Sequence, residues 1–411
     1  MRGFVRWMGV FLCIVLLCST ADAARQTRKG SAKAAPKTVR KAAPPAPPVS
    51  FICIEAESGM VLAEENADRV RPPASMVKMM LMLLVSEGLE KGSWTLDKTI
   101  TISKTVEETN ESQVFLTEGE QFTLSELMNA VAVCSANDAA LAVAEGLWGS
   151  EADYIAAMNK RAQELGMKDS LFQTPHGLPT GAGKPTDMTT ARDMAILAQQ
   201  CVKHPSVMQW VGQQELKFRP GQGSRFNTNK LLWTVPGCDG MKTGFTNAAG
   251  WCLTATVQRD GMRLITVVMG FTDKNTRFAT AARLLDTGFS SVERTLVIAK
   301  GQRMNVPVQV MNCATPTVQL VAENDIWVTL PKSAAKGVEV VPRQPEMIQA
   351  PAKAGSVMGE VQVKLDGRVL ASTPLALTDS LTAAGWKWKL QESVRRTGIG
   401  LRRSRQLEQT S

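Results

Sequence analysis

Histidine is scarce in this sequence: only His176 and His204 occur among its 411 residues. Two histidines are too few for a typical zinc site built from several imidazoles. They also leave only two candidates for the base of a serine-histidine-aspartate triad. If the chain is a hydrolase with a serine nucleophile, we therefore expect its base to be a residue other than histidine.

Long apolar runs are equally scarce, and the one of note stands at the N-terminus. Residues 1–23 carry two arginines, the apolar stretch FLCIVLLC and a small-residue cleavage pattern at Ala21-Asp22-Ala23. This order is typical of a secretory signal peptide, and it predicts an exported protein. The alternative is that the segment stays uncleaved as a membrane anchor.

Cysteine pairs of the metal-binding or redox type are absent. Six cysteines lie beyond residue 23, and no two of them form CxxC: Cys53, Cys134, Cys201, Cys238, Cys252 and Cys313. An exported chain can oxidise some of them. Cys53, Cys134 and Cys252 stand in apolar runs, which favours buried free thiols. We expect no metal and no organic cofactor.

Positive charge is concentrated at the two ends of the chain, although the net charge is +9. Residues 24–48 form a Pro/Ala-rich linker with seven basic residues and no acidic one. The basic tail, residues 381–411, spaces its apolar residues for one helical face: Trp386, Leu390, Val394 and Leu401. This pattern predicts an amphipathic helix in contact with an anionic membrane surface, the alternative being a frayed basic tail. Nucleic acid is not an expected partner, because exported proteins rarely meet it.

The central part of the chain divides into two predicted domains, residues 49–290 and residues 291–380. The first mixes strands and helices, and the second consists of short strands with Gly and Asp-Gly turns. In the first domain a hairpin is predicted from 250–258 and 262–271. Helices are predicted from Ser75 onward and over 125–132, 138–147, 151–166, 187–203 and 277–289, with Thr186 or Asp187 as the cap of the helix at 187–203.

Ser75 and Lys78 open the apolar helix in the stretch PASMVKMMLMLL. A spacing of i,i+3 puts both side chains on one helical face. A serine hydroxyl is a weak nucleophile until a base takes its proton. Burial of Lys78 would lower its pKa and make it such a base. The alternative is that Ser75 caps the helix and Lys78 extends to solvent.

Two further motifs follow in order along the chain. Ser135-Ala136-Asn137 falls in a break between two predicted helices, and Lys242-Thr243-Gly244 precedes the predicted hairpin. Each motif is common alone, since Ser135 and Asn137 also suit a helix cap. The ordered set S-x-x-K, S-x-N and K-T-G is the signature of penicillin-binding proteins and class A β-lactamases.

With these motifs the chain resembles the D-alanyl-D-alanine carboxypeptidases, the low-molecular-mass penicillin-binding proteins. Further matching stretches are CSANDAALAVAE, TPHGLP, DGMKTGFTNAAGW and TRFATAARLLDTGF. The resemblance covers about residues 49–380, including the β domain, and the basic tail matches the family's usual membrane anchor. It implies an α/β (α+β) serine β-lactamase/DD-peptidase-like fold. This has a five-stranded antiparallel sheet, a helical subdomain and a following all-β domain.

The resemblance also implies catalytic roles. Ser75 would attack the carbonyl between the terminal D-alanines of a peptidoglycan stem peptide, with Lys78 as the proton acceptor. Ser135 would pass a proton to the leaving nitrogen, and Asn137 would hold the peptide amide and orient Lys78. β-Lactam antibiotics would acylate Ser75 as covalent inhibitors.

Substrate-binding roles are implied as well. Lys242, Thr243 and Gly244 would form the binding edge, with Thr243 on the terminal carboxylate and Arg277 beside it. The backbone N–H groups of Ser75 and Phe245 would stabilise the oxyanion. His176 matches a histidine in the loop over the site. Two positions depart from the family pattern: Ala136, which could narrow the cleft, and Phe245, which could change pH dependence or peptide preference.

Three alternatives to carboxypeptidase activity remain at this stage. A serine β-lactamase would need an added base for deacylation, and no obvious glutamate occupies residues 166–187. A DD-endopeptidase would use the same residues on cross-linked peptides. A peptidoglycan-binding or scaffolding protein would not need Ser75, Lys78 or Lys242, all of which are present.

Overall fold

The computed structural model describes residues 49–181, 186–332 and 337–386, together with residues 388, 390, 393 and 394. The predicted signal peptide at 1–23 and the linker at 24–48 lie outside the described residues. So does most of the tail beyond residue 386. Among the described residues, no helix is both long enough and apolar enough to cross a membrane.

The helices of the described part begin after a short 3-10 turn at Ala74–Val77, and a π-helical turn interrupts them at Ala130–Cys134. Their bounds are α1 Lys78–Glu90, α2 Lys104–Glu107, α3 Leu124–Asn129, α4 Asn137–Trp148, α5 Glu151–Leu165, α6 Ala191–Cys201, α7 Pro205–Gly212, α8 Leu231–Thr234 and α9 Lys274–Ser291.

The strands up to α9 are β1 Ser50–Glu55, β2 Val61–Glu65, β3 Thr99–Thr101, β4 Gln121–Thr123, β5 Glu215–Leu216, β6 Arg225–Phe226, β7 Cys238–Thr246, β8 Gly250–Arg259 and β9 Met262–Phe271. Those that follow are β10 Val292–Ile298, β11 Val308–Met311, β12 Thr317–Val318, β13 Val321–Ala322, β14 Ile326–Pro331, β15 Val338–Arg343, β16 Met347–Gln349, β17 Val357–Leu365 and β18 Arg368–Ala376.

The first domain is built on a sheet of five antiparallel strands in the order β2-β1-β9-β8-β7. The predicted five-stranded antiparallel sheet and its β8–β9 hairpin are therefore confirmed. Asp260 and Gly261 form the hairpin turn, and both have positive φ, which suits a tight connection between strands. The motif strand β7 is the edge of this sheet.

Both faces of the sheet are covered, which explains the nearly continuous apolar run of β9. Val267 packs into the core shared with α1 and α6, whereas its neighbour Val268 packs against α9. Successive side chains of a strand point to opposite faces, so a strand buried on both sides has no polar face.

Helix α1 lies at the centre of the domain, as its apolar sequence predicts. Residues from Lys78 through Leu83 are fully buried on every side of the helix. This helix is apolar all round because it is surrounded by protein rather than exposed along one face. Lys78 is consequently a charged residue at a fully buried position of this helix.

The predicted start of the helix at 187–203 is wrong: α6 begins at Ala191 and is capped by Thr190, whose side chain accepts from the Asp193 N–H. Asp187 does not cap it, because its carboxylate accepts hydrogen bonds from Gln173 and Thr174 instead. Isolated antiparallel β-bridges, from Met188 to Leu171 and from Thr189 to Arg71, also keep this segment extended.

Beyond α9 the chain forms the predicted all-β domain with its own core. A four-stranded sheet, β13-β18-β17-β15, is accompanied by the sheets β12-β11-β16 and β10-β14. Leu320, Val361, Val363 and Leu375 are fully buried at its centre. The domain is therefore a separately packed module that follows the first.

The six cysteines beyond residue 23 are all free thiols in this structure. Cys53 and Cys252 are buried, as their apolar contexts predict, whereas Cys134 is only partly buried. Burial raises the pKa of the Cys53 thiol to about 12, so this group stays protonated and unreactive.

Candidate active site

Ser75 and Lys78 meet at the head of α1, where a 3-10 turn leads into the helix. Ser75 lies within the turn and Lys78 is the first residue of the helix. Lys78 Nζ lies 3.0 Å from Ser75 Oγ. The side chain of Lys78 is fully buried, so it does not extend to solvent. The i,i+3 spacing thus places an amine against a half-buried hydroxyl.

Burial lowers the pKa of Lys78 well below its ordinary value, and the positive charge of Lys242 lowers it further. Asp138 and Asp187 oppose this shift more weakly. A low dielectric disfavours the ammonium form because the charge loses its hydration. The site can therefore hold a neutral amine beside a serine hydroxyl.

Asn137 reaches the same amine from the start of α4. Its Oδ1 accepts a hydrogen bond from Lys78 Nζ at 2.6 Å, and its Nδ2 donates to the carbonyl of Asn110. Its backbone N–H donates to Ser112 O at 2.7 Å. Asn137 is thus fixed between the lysine and the loop at 110–112.

Asp138 anchors the segment 114–116, which follows that loop, to α4, a role the sequence did not reveal. The buried carboxylate accepts from the backbone N–H groups of Val114 and Leu116. Such charge-assisted bonds to backbone amides hold a loop firmly. The acidic residue directly after the S-x-N motif was the available signal.

Ser135 and Lys242 form the second lysine–serine pair of the site. Lys242 Nζ donates to Ser135 Oγ at 2.8 Å and to the carbonyl of Thr243 at 3.1 Å. Ser135 adopts a left-handed backbone with φ of 60° after the π-helical turn, a strained conformation often found at functional sites. Burial and, secondarily, Arg277 lower the pKa of Lys242 to about 7.

Ala136 is fully buried beside Ser135 and is not among the residues that line the cavity. The prediction that its methyl group narrows the cleft is therefore wrong. The left-handed turn at Ser135 directs the motif's two polar side chains to the site and its central residue into the core.

Gly244 allows β7 to approach the turn that carries Ser75. A Cβ atom at Gly244 would lie 2.7 Å from the carbonyl oxygen of Pro73 and 3.2 Å from the Cβ of Ala74. Real Cβ atoms do not come so close to a backbone oxygen, so only glycine fits here. The K-T-G glycine thus has a packing reason.

Thr243 bonds to a residue that the sequence analysis missed, Thr228, with 2.7 Å between the two hydroxyl oxygens. Two buried asparagines flank Thr228 and fix its position. Asn227 donates to the carbonyl of Gln213, and Asn229 donates to the carbonyl of Gly240 on β7. The sequence signal was the Asn-Thr-Asn run before the apolar LLW.

Arg277 lies at the start of α9 and is 1% exposed, so it is not a solvated helix charge. Its Nη1 donates to the carbonyl of Cys252 at 2.8 Å, and its guanidinium lies over the rings of Trp251 and Phe278. Its Nε is buried and has no hydrogen-bond partner within the described part of the chain. Burial lowers the pKa of Arg277 to about 10.

His176 contributes its backbone to the centre of the site. Its carbonyl oxygen lies 3.0 Å from Lys78 Nζ and 3.3 Å from Ser75 Oγ. The imidazole Nδ1 accepts from the Leu178 N–H. Burial, and then the nearby Lys78, lower the pKa of His176 to about 3, so the ring is neutral at pH 7.

These groups surround one cavity of about 360 Å³. Among the predicted residues, six line it directly: Ser75, Ser135, Thr243, Gly244, Phe245 and Arg277. The side chains of Lys78, Asn137 and Lys242 are buried behind this wall. Glu111, Lys230 and Lys274 add charges at its edge. No set of three or more His, Cys, Asp or Glu side chains in the described residues is placed to hold a metal.

Phe245 forms an exposed wall of this cavity. It is 46% exposed and stacks on Trp251 with 4.0 Å between ring centroids. The position that departs from the family pattern therefore presents an apolar face at the cavity mouth.

Comparison with known proteins finds related families and chains. The family model described as D-alanyl-D-alanine carboxypeptidase matches residues 37–273, and the model of the penicillin-binding protein 5 C-terminal domain matches residues 293–383. The D-alanyl-D-alanine carboxypeptidase DacF of Bacillus subtilis is 35% identical over 341 residues, which cover 82% of this chain and 86% of that protein.

Solved structures show the same fold. Penicillin-binding protein 5 from Haemophilus influenzae is 31% identical with a TM-score of 0.65, covering 81% of this chain and 97% of its own. Penicillin-binding protein D2 from Listeria monocytogenes, solved in an ampicillin-bound form, is 30% identical with a TM-score of 0.53 and covers 58% of this chain and 96% of its own. The predicted fold class is confirmed.

Proposed function

The chain belongs to the D-alanyl-D-alanine carboxypeptidase family of serine peptidases, and we propose that it removes the terminal D-alanine from peptidoglycan stem pentapeptides through an acyl-enzyme on Ser75. The observation that carries this proposal is the 3.0 Å contact between Ser75 Oγ and the buried amine of Lys78. A nucleophile beside a base of lowered pKa is the arrangement that acyl transfer needs.

The three neighbours of Lys78 Nζ suit a neutral amine as the base. Two of them, Asn137 Oδ1 and the His176 carbonyl, can only accept hydrogen bonds. The third is the Ser75 hydroxyl, which can donate its proton. A neutral amine has two N–H groups for the two acceptors, and its lone pair then faces the hydroxyl. Lys78 takes the Ser75 proton as Oγ attacks the scissile carbonyl.

The tetrahedral oxyanion would lie between the backbone N–H groups of Ser75 and Phe245. The close approach of Gly244 to the Ser75 turn supports this assignment, because it brings the two backbones together. Backbone donors aimed at a developing oxyanion are among the largest single contributions to acyl-transfer catalysis.

Ser135 would then relay to the departing D-alanine nitrogen the proton that Lys78 took from Ser75: the Ser135 hydroxyl gives its hydrogen to the nitrogen, and the Lys78 ammonium reprotonates Ser135 and becomes neutral again. Lys242 donates to Ser135 Oγ, so the serine's own hydroxyl hydrogen is left to point elsewhere. Water afterwards hydrolyses the acyl-enzyme, and Lys78 returns as the base for that step.

The terminal carboxylate of the substrate would be held by Thr243 and Arg277. The buried Arg277 Nε without a hydrogen-bond partner among described residues supports an anionic ligand at this end of the cavity. The ammonium group of Lys242 adds positive electrostatic potential behind Thr243 and Arg277.

We infer slow release of bound penicillin rather than rapid β-lactamase turnover. The buried carboxylate of the 166–187 region, Asp187, already accepts bonds from Gln173 N–H and from the N–H and hydroxyl of Thr174. A buried carboxylate engaged by three donors in this way is not placed to activate a deacylating water.

The proposed location is the periplasm, with export by residues 1–23 and peripheral membrane contact through the tail at 381–411. Trp386, Leu390 and Val394 are exposed apolar side chains at the start of that tail, which supports the proposal. The basic residues there suit anionic headgroups.

The test is to incubate the folded protein with a fluorescent penicillin and to locate the adduct by mass spectrometry. We expect a long-lived adduct on Ser75 that disappears in Ser75→Ala and persists in Ser112→Ala, a second serine of the same cavity. D-Alanine release from a pentapeptide, compared with cleavage of a cross-linked dimer, then separates carboxypeptidase from endopeptidase action. Rapid turnover would indicate a β-lactamase, and folded protein without an adduct would contradict the proposal.

A further inference from the structure

A second cavity, of about 500 Å³, adjoins the catalytic one where β7 ends, β8 begins and β9 ends. The two cavities share the stacked pair Phe245 and Trp251 as a common wall. The second cavity is also lined by residues 247–250, which follow directly after β7, and by the segment 69–72 that leads to Ser75.

The direction of the substrate, which rests on the proposed function, leads toward this cavity. The proposed function places the terminal carboxylate at Thr243 and the scissile carbonyl at the Phe245 N–H. Both residues lie on β7, so these two contacts fix the direction of the peptide along the strand. An extended peptide advances about 3.3 Å per residue along such a strand. The residues upstream of the scissile bond are therefore carried past Phe245 toward residues 247–250.

The charged residues among those that line the second cavity are both arginines, Arg69 and Arg71. Arg71 is 8% exposed. Its backbone N–H donates to the carbonyl of Thr189, and its own carbonyl accepts from the Thr189 N–H. Its guanidinium packs so closely over Gly270 that a side chain at Gly270 would collide with it. Arg71 is consequently a positive charge held rigidly in the cavity wall.

Arg69 differs from Arg71 in being exposed. Its side chain makes no ion pair within the described residues, and its neighbour Asp68 is already bound by Arg192. The charge of Arg69 is therefore available at the cavity mouth. Met188 and Phe271 add apolar side chains to the wall of the cavity. The combination suits a peptide segment that carries a carboxylate.

We propose that this second cavity binds the upstream part of the peptide substrate and that Arg69 selects peptides with a free carboxylate there. Arg71 supplies a fixed background charge, and the exposed Arg69 pairs with the carboxylate. The cavity thereby extends recognition beyond the terminal D-alanines, and Arg69 acts on specificity and not on the reacting atoms.

The experiment compares two pentapeptides that end in D-Ala-D-Ala. One carries a free carboxylate on its second residue, and in the other that carboxylate is amidated. In the wild-type protein we expect kcat/KM to favour the free carboxylate by about three- to fivefold, the range of a partly exposed ion pair. Arg69→Gln should bring this ratio close to one through KM, while kcat is unchanged.

A matched control is Arg283→Gln, which alters another exposed arginine of the same domain. It should keep the wild-type ratio. Arg69→Glu should invert the preference, so that kcat/KM is higher for the amidated peptide. In the wild-type protein, added salt should weaken the preference for the free carboxylate. The proposal is overturned if Arg69→Gln slows both peptides equally or leaves the ratio unchanged.

Dissociation constants of the two peptides, measured by titration on Ser75→Ala protein, keep the two proposals distinguishable. If no D-alanine is released, but the ratio of the two dissociation constants changes when Arg69 is replaced, the proposed reaction fails and the subsite stands. If hydrolysis occurs without such a ratio, the reaction stands and the subsite fails.

Discussion

Lys78 Nζ lies 2.6 Å from Asn137 Oδ1, although 59 positions separate the two residues in the sequence. The contact joins the head of α1 to the start of α4, and so couples the S-x-x-K motif to the S-x-N motif. It is shorter than the 3.0 Å contact of Nζ with Ser75 Oγ, and it helps to hold the amine beside that hydroxyl.

Asn137→Asp should move the pH dependence of acylation upward. A carboxylate at this distance favours the ammonium form of Lys78 and raises its pKa, so that the neutral base appears only at higher pH. We expect the fluorescent-penicillin acylation rate at pH 7 to fall at least about tenfold and to recover partly as pH rises. Asn137→Ala, which also removes the amide but adds no charge, should slow acylation without raising the midpoint. Identical profiles for both variants would refute this mechanism.

Stability should increase as the pH is raised from 7 to 8.5. The pKa of Lys242 falls from its usual 10.5 to about 7 on folding, so in this window the unfolded chain binds more protons than the folded one. The free energy of unfolding then rises with pH. Urea titrations of Lys242→Met should show a shallower slope than those of the wild type.

The exposed Lys98 provides the matched substitution for that comparison, and Lys98→Met should keep the wild-type slope. The window stops at pH 8.5 because the buried cysteine thiols, with their raised pKa values, oppose the trend above pH 9. A Lys242→Met slope as steep as that of the wild type would show that this lysine is not the cause.

Thr228→Val should weaken substrate binding by removing one hydroxyl beside Thr243. In the free protein the Thr243 hydroxyl donates to Thr228 Oγ1, so it must turn to donate to a substrate carboxylate. Thr228 can then donate to Thr243 in return, which valine cannot do. We expect KM for a D-Ala-D-Ala peptide to rise about three- to tenfold, a typical loss for one hydrogen bond, with kcat little changed. Thr228→Ser, which keeps a hydroxyl, should have a KM close to that of the wild type. A KM as high as that of Thr228→Val would argue against this reversal of the hydrogen bond between Thr228 and Thr243.

Gly177→Ala should damage both stability and acylation. Gly177 has a φ of 87°, and a Cβ there would collide with the backbone of Ala74, next to Ser75. Gly119 has a similar φ of 84°, but a Cβ there would meet no other atom within 4 Å. Gly119→Ala therefore isolates the energetic cost of the backbone conformation. We expect Gly119→Ala to lower the free energy of unfolding by about 1–2 kcal/mol and to leave acylation unchanged. Gly177→Ala should lower it further and slow acylation of Ser75, as judged by thermal unfolding and penicillin labelling. Equal effects of the two substitutions would exclude the predicted collision.

Local patterns in the sequence were sufficient for the motifs and for the main elements of the fold. The i,i+3 spacing of Ser75 and Lys78 follows from helical geometry, and the β8–β9 hairpin follows from two apolar runs around a tight turn. The resemblance to a known family rests on such local stretches. The start of α6 was misjudged because Asp187 bonds to a distant loop, which no local pattern reveals.

What the sequence by itself determined was thus the order of the three motifs, the buried character of α1 and the succession of a mixed α/β domain and a β domain. Only the tertiary structure decided which groups surround the amine of Lys78, why Thr228 belongs to the site and where a second cavity lies. The physical reason is that periodicity and turn chemistry act over a few residues. The contacts of Lys242 with Ser135 and of Thr243 with Thr228 depend instead on how β7 packs against segments far away in the chain.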